Sequence, residues 1–393
     1  MKKFENLINE INVELLKKSG IHNAYRKFIG KLSLEEIFTT DSVYIAAYRC
    51  SIGFMNRADT QAFMQSPMQN ARVLCKKVLS GRFVPRYYTK RIIIERGKAR
   101  EIMPPTFECK VVQKVFCGYL IRQLFEDRMI STNYASIKGR GTEALYQDVL
   151  VELKKSLKNP GAVIVIMDFK SYFASILIEI LRQNYAKYVK DERIVNLICS
   201  FSPNERGLSL GNESSQVPAS FFPSSIDHYF KDRLGLESYN RYMDDTLFIV
   251  QNMEQAKAYV EIFQSLADSI GLTIPAKKIQ LIKIGQNFVF CKERFIYNKK
   301  CGDYYRLINP AIPRGEIRKI RYFKHQYDTE KMTEEEITLQ VKGCLGMVRS
   351  RPGTGDAIRR IETEYLKIFP ENRESIIINR KPKVRKEKGE INL

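Results

Sequence analysis

The alternation of apolar and polar residues predicts a chain of mixed helices and strands. Apolar residues recur at helical spacing through residues 1–80, beginning with "FENLINEINVELLKK" at Phe4. Ser33 and Thr40 introduce "SLEEIF" and "TDSVYIAAYRC", which have the features of helix starts. Residues 82–104 alternate apolar and basic side chains around "ERGKAR", a pattern typical of a β-hairpin with a glycine-containing turn.

The remaining pattern alternates short apolar strands with longer helices. Three segments have the pattern of strands. A buried strand is predicted for "AVIVIMDF", and a hairpin is predicted for each of "YNRYMDDTLFIV" and "FVFCKERFIYNKKCGDYYRLI". Helical spacing is found in the stretches 107–130, 142–157, 174–200, 215–234, 254–270 and 313–370. This order predicts an α+β fold in which several subdomains form one continuous molecule.

The charge of the chain changes the expected partner. Among 393 residues, 65 Lys and Arg outnumber 44 Asp and Glu, which gives a net charge of +21. The excess is spread along the chain, with peaks at 72–100, 314–324 and 380–388. Because such a charge opposes compaction by self-repulsion, it favours a polyanionic partner. The alternative is a soluble basic protein without such a partner.

The cysteines and the hydropathy indicate a reducing compartment. The eight cysteines form no CxxC pair, and no Cys/His set has zinc-finger spacing. The first residues do not resemble a signal peptide, and no run of 18 uncharged apolar residues occurs. The sequence therefore predicts a cytoplasmic protein that does not enter a membrane.

Carboxylates stand at the ends of the predicted strands. Asp168 closes the buried strand, and Asp244 and Asp245 stand at the tip of the first hairpin. An ionised Asp in such a place is costly unless it is paired or bound to a metal. If the strands share one sheet, Asp168 lies beside Asp244, and clustered carboxylates bind hard cations such as Mg²⁺. Two alternatives stay open: a turn that simply contains Asp-Asp, and Asp168 as the cap of a helix that begins near Ser171.

These segments resemble motifs of the reverse transcriptases. "MDFKSYFASI" resembles the first palm motif of that family, and "RYMDD" resembles the second. Between them, "GLSLGNESSQVPASFF" resembles the template-positioning segment, with Leu210 in place of the usual Gln and Gln216 in place of the usual Pro. This variant is similar to the enzymes of diversity-generating retroelements and to defence-associated bacterial enzymes.

The resemblance implies a right-hand polymerase with fingers, a palm built on an antiparallel sheet, and a helical thumb. A helical extension precedes these parts and a basic tail follows them; the tail either grips RNA or is a disordered, solubilising end. The implied boundaries are 1–81 for the extension, 82–160 for the fingers, 161–310 for the palm, 311–370 for the thumb and 371–393 for the tail.

The resemblance also implies roles for the acidic residues. Asp168 and Asp244 are expected to bind two Mg²⁺ ions, for which Mn²⁺ is a possible substitute, with help from the backbone carbonyl of Phe169. Asp245 is expected to support this geometry. Phe173 is expected to lie beneath the sugar and to leave no room for a 2′-hydroxyl; the alternative is that its ring only packs in the core.

Further residues are assigned to substrates by the same resemblance. Contact with the nucleotide is expected for Lys98, Arg100, Gly211, Ser215, Gln216 and Lys278. Contact with nucleic acid is expected for Lys138, Arg140, Arg318, Arg321 and Lys324. The alternatives are solvated surface charges, an ordinary turn glycine and a helix N-cap region.

The implied function is RNA-templated DNA synthesis, in which the primer 3′-hydroxyl attacks a dNTP. No RNase H or zinc endonuclease signature follows the predicted thumb, so an intron-mobility enzyme that carries its own nuclease is not expected. Because the chain has only 393 residues, a dedicated structured non-coding RNA is the expected template. Phage defence is favoured slightly over retroelement diversification, and an accessory protein or a homo-oligomer is possible. Two alternatives stay open: template-independent or low-complexity DNA synthesis by the same palm, and a non-catalytic RNA-binding scaffold.

Overall fold

A computed structural model describes residues 30–95, 98–202, 204–349, 351 and 354–372. The helix predicted from Phe4 and the tail from residue 373 onward lie outside these residues. The chain packs as two units, Met1–Gly285 and Gln286–Leu393. Among the described residues, no helix combines the length and the apolar character needed to cross a bilayer.

In the described part of the first unit, four helices come first. They are α1 (Leu34–Ile37), α2 (Thr40–Ser51), α3 (Ala58–Gln65) and α4 (Pro67–Leu79). The first two begin as their sequences predict. Ser33 caps α1 in a reciprocal capping box with Glu36, and Thr39 caps α2 in the same way with Ser42.

A two-stranded hairpin and a helical layer follow. The predicted hairpin is confirmed but shorter than its pattern, with β1 (Arg91–Glu95) paired antiparallel to β2 (Lys98–Ile102). The next helices are α5 (Phe107–Phe116), α6 (Arg122–Phe125) and α7 (Thr142–Ser156). A π-helical turn joins α5 to α6, so the predicted helical stretch is continuous.

A four-stranded antiparallel sheet forms the centre of this unit. Its strands are β3 (Val163–Asp168), β4 (Tyr239–Tyr242), β5 (Asp245–Val250) and β6 (Ile279–Lys283). They lie in the order β4-β5-β3-β6, so β3 is central although it comes first in the chain. Val163 to Met167 are all buried, which is the environment that a continuous apolar run predicts. The α+β fold with antiparallel sheets is therefore confirmed.

Further helices belong to this unit. They are α8 (Tyr172–Ser175), α9 (Ile178–Ala186), α10 (Glu192–Cys199), α11 (Glu213–Phe221), α12 (Ser224–His228) and α13 (Met253–Ser269). Helix α13 packs on β3 and β5. It buries Ala256, Val260, Phe263 and Ala267, a spacing of three or four residues that places them on one helical face.

The second unit combines a small sheet with a helical bundle. Its strands are β7 (Phe288–Phe290), β8 (Glu293–Asn298) and β9 (Asp303–Ile308), which form the predicted hairpin with one additional strand. Its helices are α14 (Ala311–Asp328), α15 (Glu334–Arg349) and α16 (Gly355–Leu366). Ile320, Val341, Leu345 and Ile361 are fully buried between these helices.

Candidate active site

The turn between β4 and β5 carries Asp244, and the first residue of β5 is Asp245. Tyr242 pairs with Asp245, so Met243 and Asp244 alone form the turn. The φ of Met243 is +54°, in the left-handed region that residues other than glycine rarely adopt. Such a backbone costs on the order of 1–3 kcal/mol and persists only where its surroundings enforce it. The chain therefore holds Asp244 at the apex of a constrained turn.

Strand pairing brings the third carboxylate to the same place. The register of β3 and β5 sets Asp168 directly opposite Asp245. Asp244 directly precedes Asp245 in the turn, so Asp168 and Asp244 are also neighbours, and burial together with the negative charge of Asp168 raises the pKa of Asp244 above its usual range. The convergence of Asp168 and Asp244 that the strand pattern predicts is thus present.

The oxygens at this point are suited to a hard cation. Oδ1 of Asp168 is buried without a hydrogen-bond partner. Oδ2 accepts from the ammonium of Lys278 at 2.7 Å, and the same ammonium donates to the backbone carbonyl of Phe169 at 2.5 Å. Among the described residues, no three His, Cys, Asp or Glu side chains converge closely enough to hold a metal on their own. A cation bound here would share its ligands with a substrate, as Mg²⁺ commonly does.

A buried ion pair supports the turn, and the sequence analysis missed it. Arg241 and Asp227 have fully buried side chains, and Nε of Arg241 lies 2.5 Å from Oδ1 of Asp227. The hydroxyl of Tyr239 donates to the same oxygen at 2.7 Å. Nη1 of Arg241 donates to the carbonyl of Met243 at 3.4 Å, next to Asp244. The sequence carries no clear signal for this pair, because Arg241 and Asp227 lie in the mixed polar and apolar stretches "NRYMDD" and "SSIDHYF".

Aromatic packing anchors the other side of the site. The ring of Phe169 stacks on Tyr172 at 5.3 Å and lies 5.5 Å from the guanidinium carbon of Arg241. This packing keeps the ring in the core, while the carbonyl of Phe169 meets Lys278. Ser171, with φ of +46°, precedes helix α8 and makes no side-chain cap, and Asp168 is not that cap either. The alternative assignment of Asp168 to helix capping is therefore not supported.

Phe173 and Gly211 belong to neighbouring segments. Phe173 is half-buried, and its carbonyl accepts from the backbone N–H of Leu208 at 2.8 Å. Three residues after Leu208, Gly211 has a φ of +95°, and there is open space where a Cβ would stand. In helix α11, the side chain of Ser215 is buried, whereas Gln216 is exposed. Phe173, Gly211 and Gln216 are therefore accessible to a substrate, and Ser215 is covered.

The other basic residues assigned to the fingers differ in their surroundings. Lys98 and Arg100 lie on β2, and their side chains are outside the described part of the chain. Lys138 is exposed. The guanidinium of Arg140 donates to the carbonyls of Ile130 at 3.1 Å and Asn133 at 2.9 Å, so part of its hydrogen-bonding capacity holds its own loop. Contact of these residues with phosphates stays a prediction.

The basic residues assigned to the thumb belong to the second unit. Arg318, Arg321 and Lys324 are all exposed on α14. Arg321 pairs with Glu364 at 2.6 Å, and Lys324 pairs with Asp328 at 2.7 Å. Both ion pairs are accessible to solvent, where such pairs contribute little and exchange readily for other anions. Their contact with nucleic acid also stays a prediction.

Carboxylates that converge at one end of two adjacent inner strands of an antiparallel sheet, within a fold of mixed helices and sheets, are typical of a polymerase of the right-hand class. A sequence model of the family described as reverse transcriptase (RNA-dependent DNA polymerase) matches residues 89–322, more than half of the chain. The chain belongs to this family and is an RNA-directed DNA polymerase. Such domains copy an RNA template into DNA from dNTPs and generally use divalent metal ions. A comparison with curated proteins finds no match.

Proposed function

We propose that Asp168 and Asp244 are the metal ligands of this polymerase and that Asp245 supports them. The observation that carries the proposal is the register of β3 and β5, which sets Asp168 opposite Asp245 and beside the turn of Asp244. Asp168 and Asp244 repel each other in a partly buried site, and a cation between them would relieve that repulsion. The carbonyl of Phe169 is a further proposed ligand, because its oxygen already accepts a hydrogen bond from the positively charged ammonium of Lys278.

The site's residues suit nucleotidyl transfer. Two Mg²⁺ ions, or Mn²⁺ in their place, would activate the primer 3′-hydroxyl and neutralise the leaving pyrophosphate. The protein holds the acidic oxygens in place through the constrained turn and the buried Arg241, so little reorganisation is needed when substrates arrive. Lys278 is positioned by its contact with Asp168 to serve as the cation near the leaving group.

We assign the nucleotide to the surface formed by Phe173, Gly211 and Gln216. The ring of Phe173 is the steric element that excludes a 2′-hydroxyl, and the open space beside Gly211 allows backbone to approach the base pair. Lys98 and Arg100 on β2 are proposed to bind the triphosphate. The buried hydroxyl of Ser215 acts at most by fixing the helix start rather than by direct contact.

The nucleic acid is assigned to the basic surfaces. Lys138 and Arg140 in the fingers and Arg318, Arg321 and Lys324 in the thumb are proposed to bind phosphates. The division into extension, fingers, palm, thumb and tail is likewise a proposal; the compact units part at Gly285, so strands β7 to β9 pack with the thumb helices.

We further propose that the template is a dedicated structured RNA and that the enzyme serves phage defence. The net charge of +21 supports a large RNA partner, and the segment from Leu208 to Gln216 supports the kinship with defence and retroelement enzymes. An accessory protein or a second copy of the chain completes the proposed assembly. None of the eight cysteines, all of which lie in the described part of the chain, forms a disulfide, which supports work in a reducing cytoplasm.

Purification of the protein with RNA expressed from its own locus tests these assignments. The complex is supplied with Mg²⁺ and labelled dNTPs, and both the bound RNA and the DNA product are sequenced. DNA complementary to one co-purifying RNA supports the proposal. Low-complexity DNA unrelated to that RNA indicates template-independent synthesis instead, and the absence of any product indicates a scaffold.

A further inference from the structure

Lys278 contacts two oxygen atoms that belong to the proposed metal site. It ends the short helical turn Ala276–Lys278 just before β6, which pairs with β3. Its ammonium lies 2.7 Å from Oδ2 of Asp168 and 2.5 Å from the carbonyl oxygen of Phe169. One side-chain cation therefore bridges a carboxylate and a carbonyl that both belong to the end of β3.

An ammonium and a metal ion compete for these oxygens. Mg²⁺ binds oxygen at about 2.0–2.1 Å and requires a lone pair directed at the ion. Each oxygen has two lone pairs, of which an ammonium at hydrogen-bond distance occupies one, and the ammonium also adds a positive charge beside the ion. A metal that takes Oδ2 of Asp168 and the carbonyl of Phe169 is therefore bound more tightly when Lys278 leaves them.

The lysine is able to leave. Its side chain is 30% exposed and that of Asp168 is 32% exposed, so the pair is open to solvent on one side. A lysine carries its charge on a flexible four-carbon stem, and ion pairs that are open to solvent contribute little to stability. The ion pair of Lys278 and Asp168 therefore forms in the absence of metal but is weak enough to break when a divalent ion binds.

We propose that Lys278 is an exchangeable internal cation that occupies the metal position until the metal binds. Without a metal, its ammonium neutralises Asp168 and fixes the carbonyl of Phe169. When the metal binds, the ammonium is released and becomes available to the phosphates of the incoming nucleotide. This inference rests on the proposed role of Asp168 as a metal ligand.

Direct measurement of metal binding tests the exchange. The full-length protein, free of nucleotide and nucleic acid, is titrated with Mn²⁺, and unbound Mn²⁺ is followed by electron paramagnetic resonance. Lys278→Met removes the charge but keeps an apolar stem of similar length, and it should bind Mn²⁺ at least about threefold more tightly than the wild type. Lys278→Arg, which keeps a cation, should bind more weakly than Lys278→Met.

Lys277 offers a matched control, since it precedes Lys278 on the same turn and is exposed. Lys277→Met changes the net charge equally and should leave the Mn²⁺ affinity within about twofold of the wild type.

Steady-state synthesis adds a second readout. Lys278→Met should need less Mg²⁺ for half-maximal rate while its kcat falls, a split that a purely structural lysine does not produce.

The outcomes separate this inference from the proposed function. Unchanged or weaker Mn²⁺ binding by Lys278→Met overturns the exchange, provided that Asp168→Asn abolishes Mn²⁺ binding and so confirms the site. If Asp168→Asn binds Mn²⁺ as the wild type does, the metal assignment itself is wrong. Equal tightening by Lys277→Met and Lys278→Met also contradicts the exchange, because net charge alone then explains the effect.

Discussion

Arg241 and Asp227 form a fully buried ion pair that also holds the turn bearing Asp244. Neither side chain is exposed, and Arg241 connects the carboxylate of Asp227 to the carbonyl of Met243. Its backbone N–H donates to the carbonyl of Thr132 and its carbonyl accepts from the N–H of Tyr134, so the pair lies where the segment between α6 and α7 meets the four-stranded sheet. Charge in the core therefore fixes the position of the turn that bears the proposed metal ligand Asp244.

Loss of Asp227 alone is expected to destabilise the protein more than loss of both Asp227 and Arg241. Asp227→Leu leaves a buried guanidinium without its counter-ion and should lower the free energy of unfolding by about 3–5 kcal/mol. The double variant Asp227→Leu with Arg241→Met should recover much of this loss but not the synthesis rate, because the bond to Met243 is absent. Chemical denaturation and primer extension measure the two quantities.

The exposed pair of Arg321 and Glu364 supplies the control for this comparison. Arg321→Met should change the free energy of unfolding by no more than about 1 kcal/mol. A double variant as unstable as Asp227→Leu alone, or one with full activity, would contradict the role given to the buried pair.

Phe173→Ala should admit ribonucleotides. Loss of the half-exposed ring opens space beside the proposed sugar position, and the preference for dNTPs over rNTPs should fall by about tenfold or more. Single-nucleotide incorporation with paired dNTP and rNTP substrates measures this ratio. Tyr172→Phe, at the buried neighbour, should leave the ratio unchanged. Unaltered selectivity in Phe173→Ala would mean that the ring only packs.

Arg318→Ala should weaken nucleic-acid binding without changing sequence preference. Each lost phosphate contact reduces the slope of log K against log salt by roughly 0.7–0.9. Binding to an RNA–DNA duplex across a salt series measures the slope. Lys299→Ala removes an exposed charge from the β8–β9 loop of the same unit and serves as the control. Identical slopes for the wild type and Arg318→Ala would remove this residue from the interface.

His228 predicts a pH-dependent contribution to stability. Burial opposes its charging, but its contacts with the carbonyl of Arg128 at 2.8 Å and the carboxylate of Asp232 at 2.5 Å raise the pKa of the imidazole. The stabilisation is therefore complete below the unfolded pKa of about 6.5 and is lost as pH rises through the folded pKa.

Denaturation at several pH values checks this sign. The difference in unfolding free energy between wild type and His228→Gln should shrink from pH 6 to pH 8. It should stay below about 1 kcal/mol, because the contact is partly exposed. A difference that grows with rising pH would refute the assignment.

The sequence predicts that the carboxylates proposed as metal ligands converge, because they break a strong pattern. "AVIVIMDF" and "YMDDTLFIV" read as buried strands, so charges at their ends stand out. Helix starts at Ser33 and Thr39 are equally local, since each cap bonds within three residues. Such features need no knowledge of distant contacts.

The rest depends on long-range contacts that no local pattern contains. The pairing of Arg241 with Asp227 and the reach of Lys278 to Asp168 arise only when separate segments pack together. Arg140 illustrates the same limit, because a basic residue in a glycine-flanked loop has the same sequence pattern whether it bonds backbone carbonyls or phosphates. The position of β3 at the centre of the sheet is likewise a property of the assembled fold.

Primer extension by Asp244→Asn on an RNA template with Mg²⁺ tests the central claim most directly. The substitution removes a negative charge that burial and Asp168 disfavour, so the folded protein should be no less stable than the wild type. Asp268→Asn, an exposed position on α13, is the matched control and should extend the primer normally. The account predicts a loss of synthesis of about a thousandfold or more for Asp244→Asn, with stability retained. Extension by Asp244→Asn at a rate near that of the wild type would contradict it.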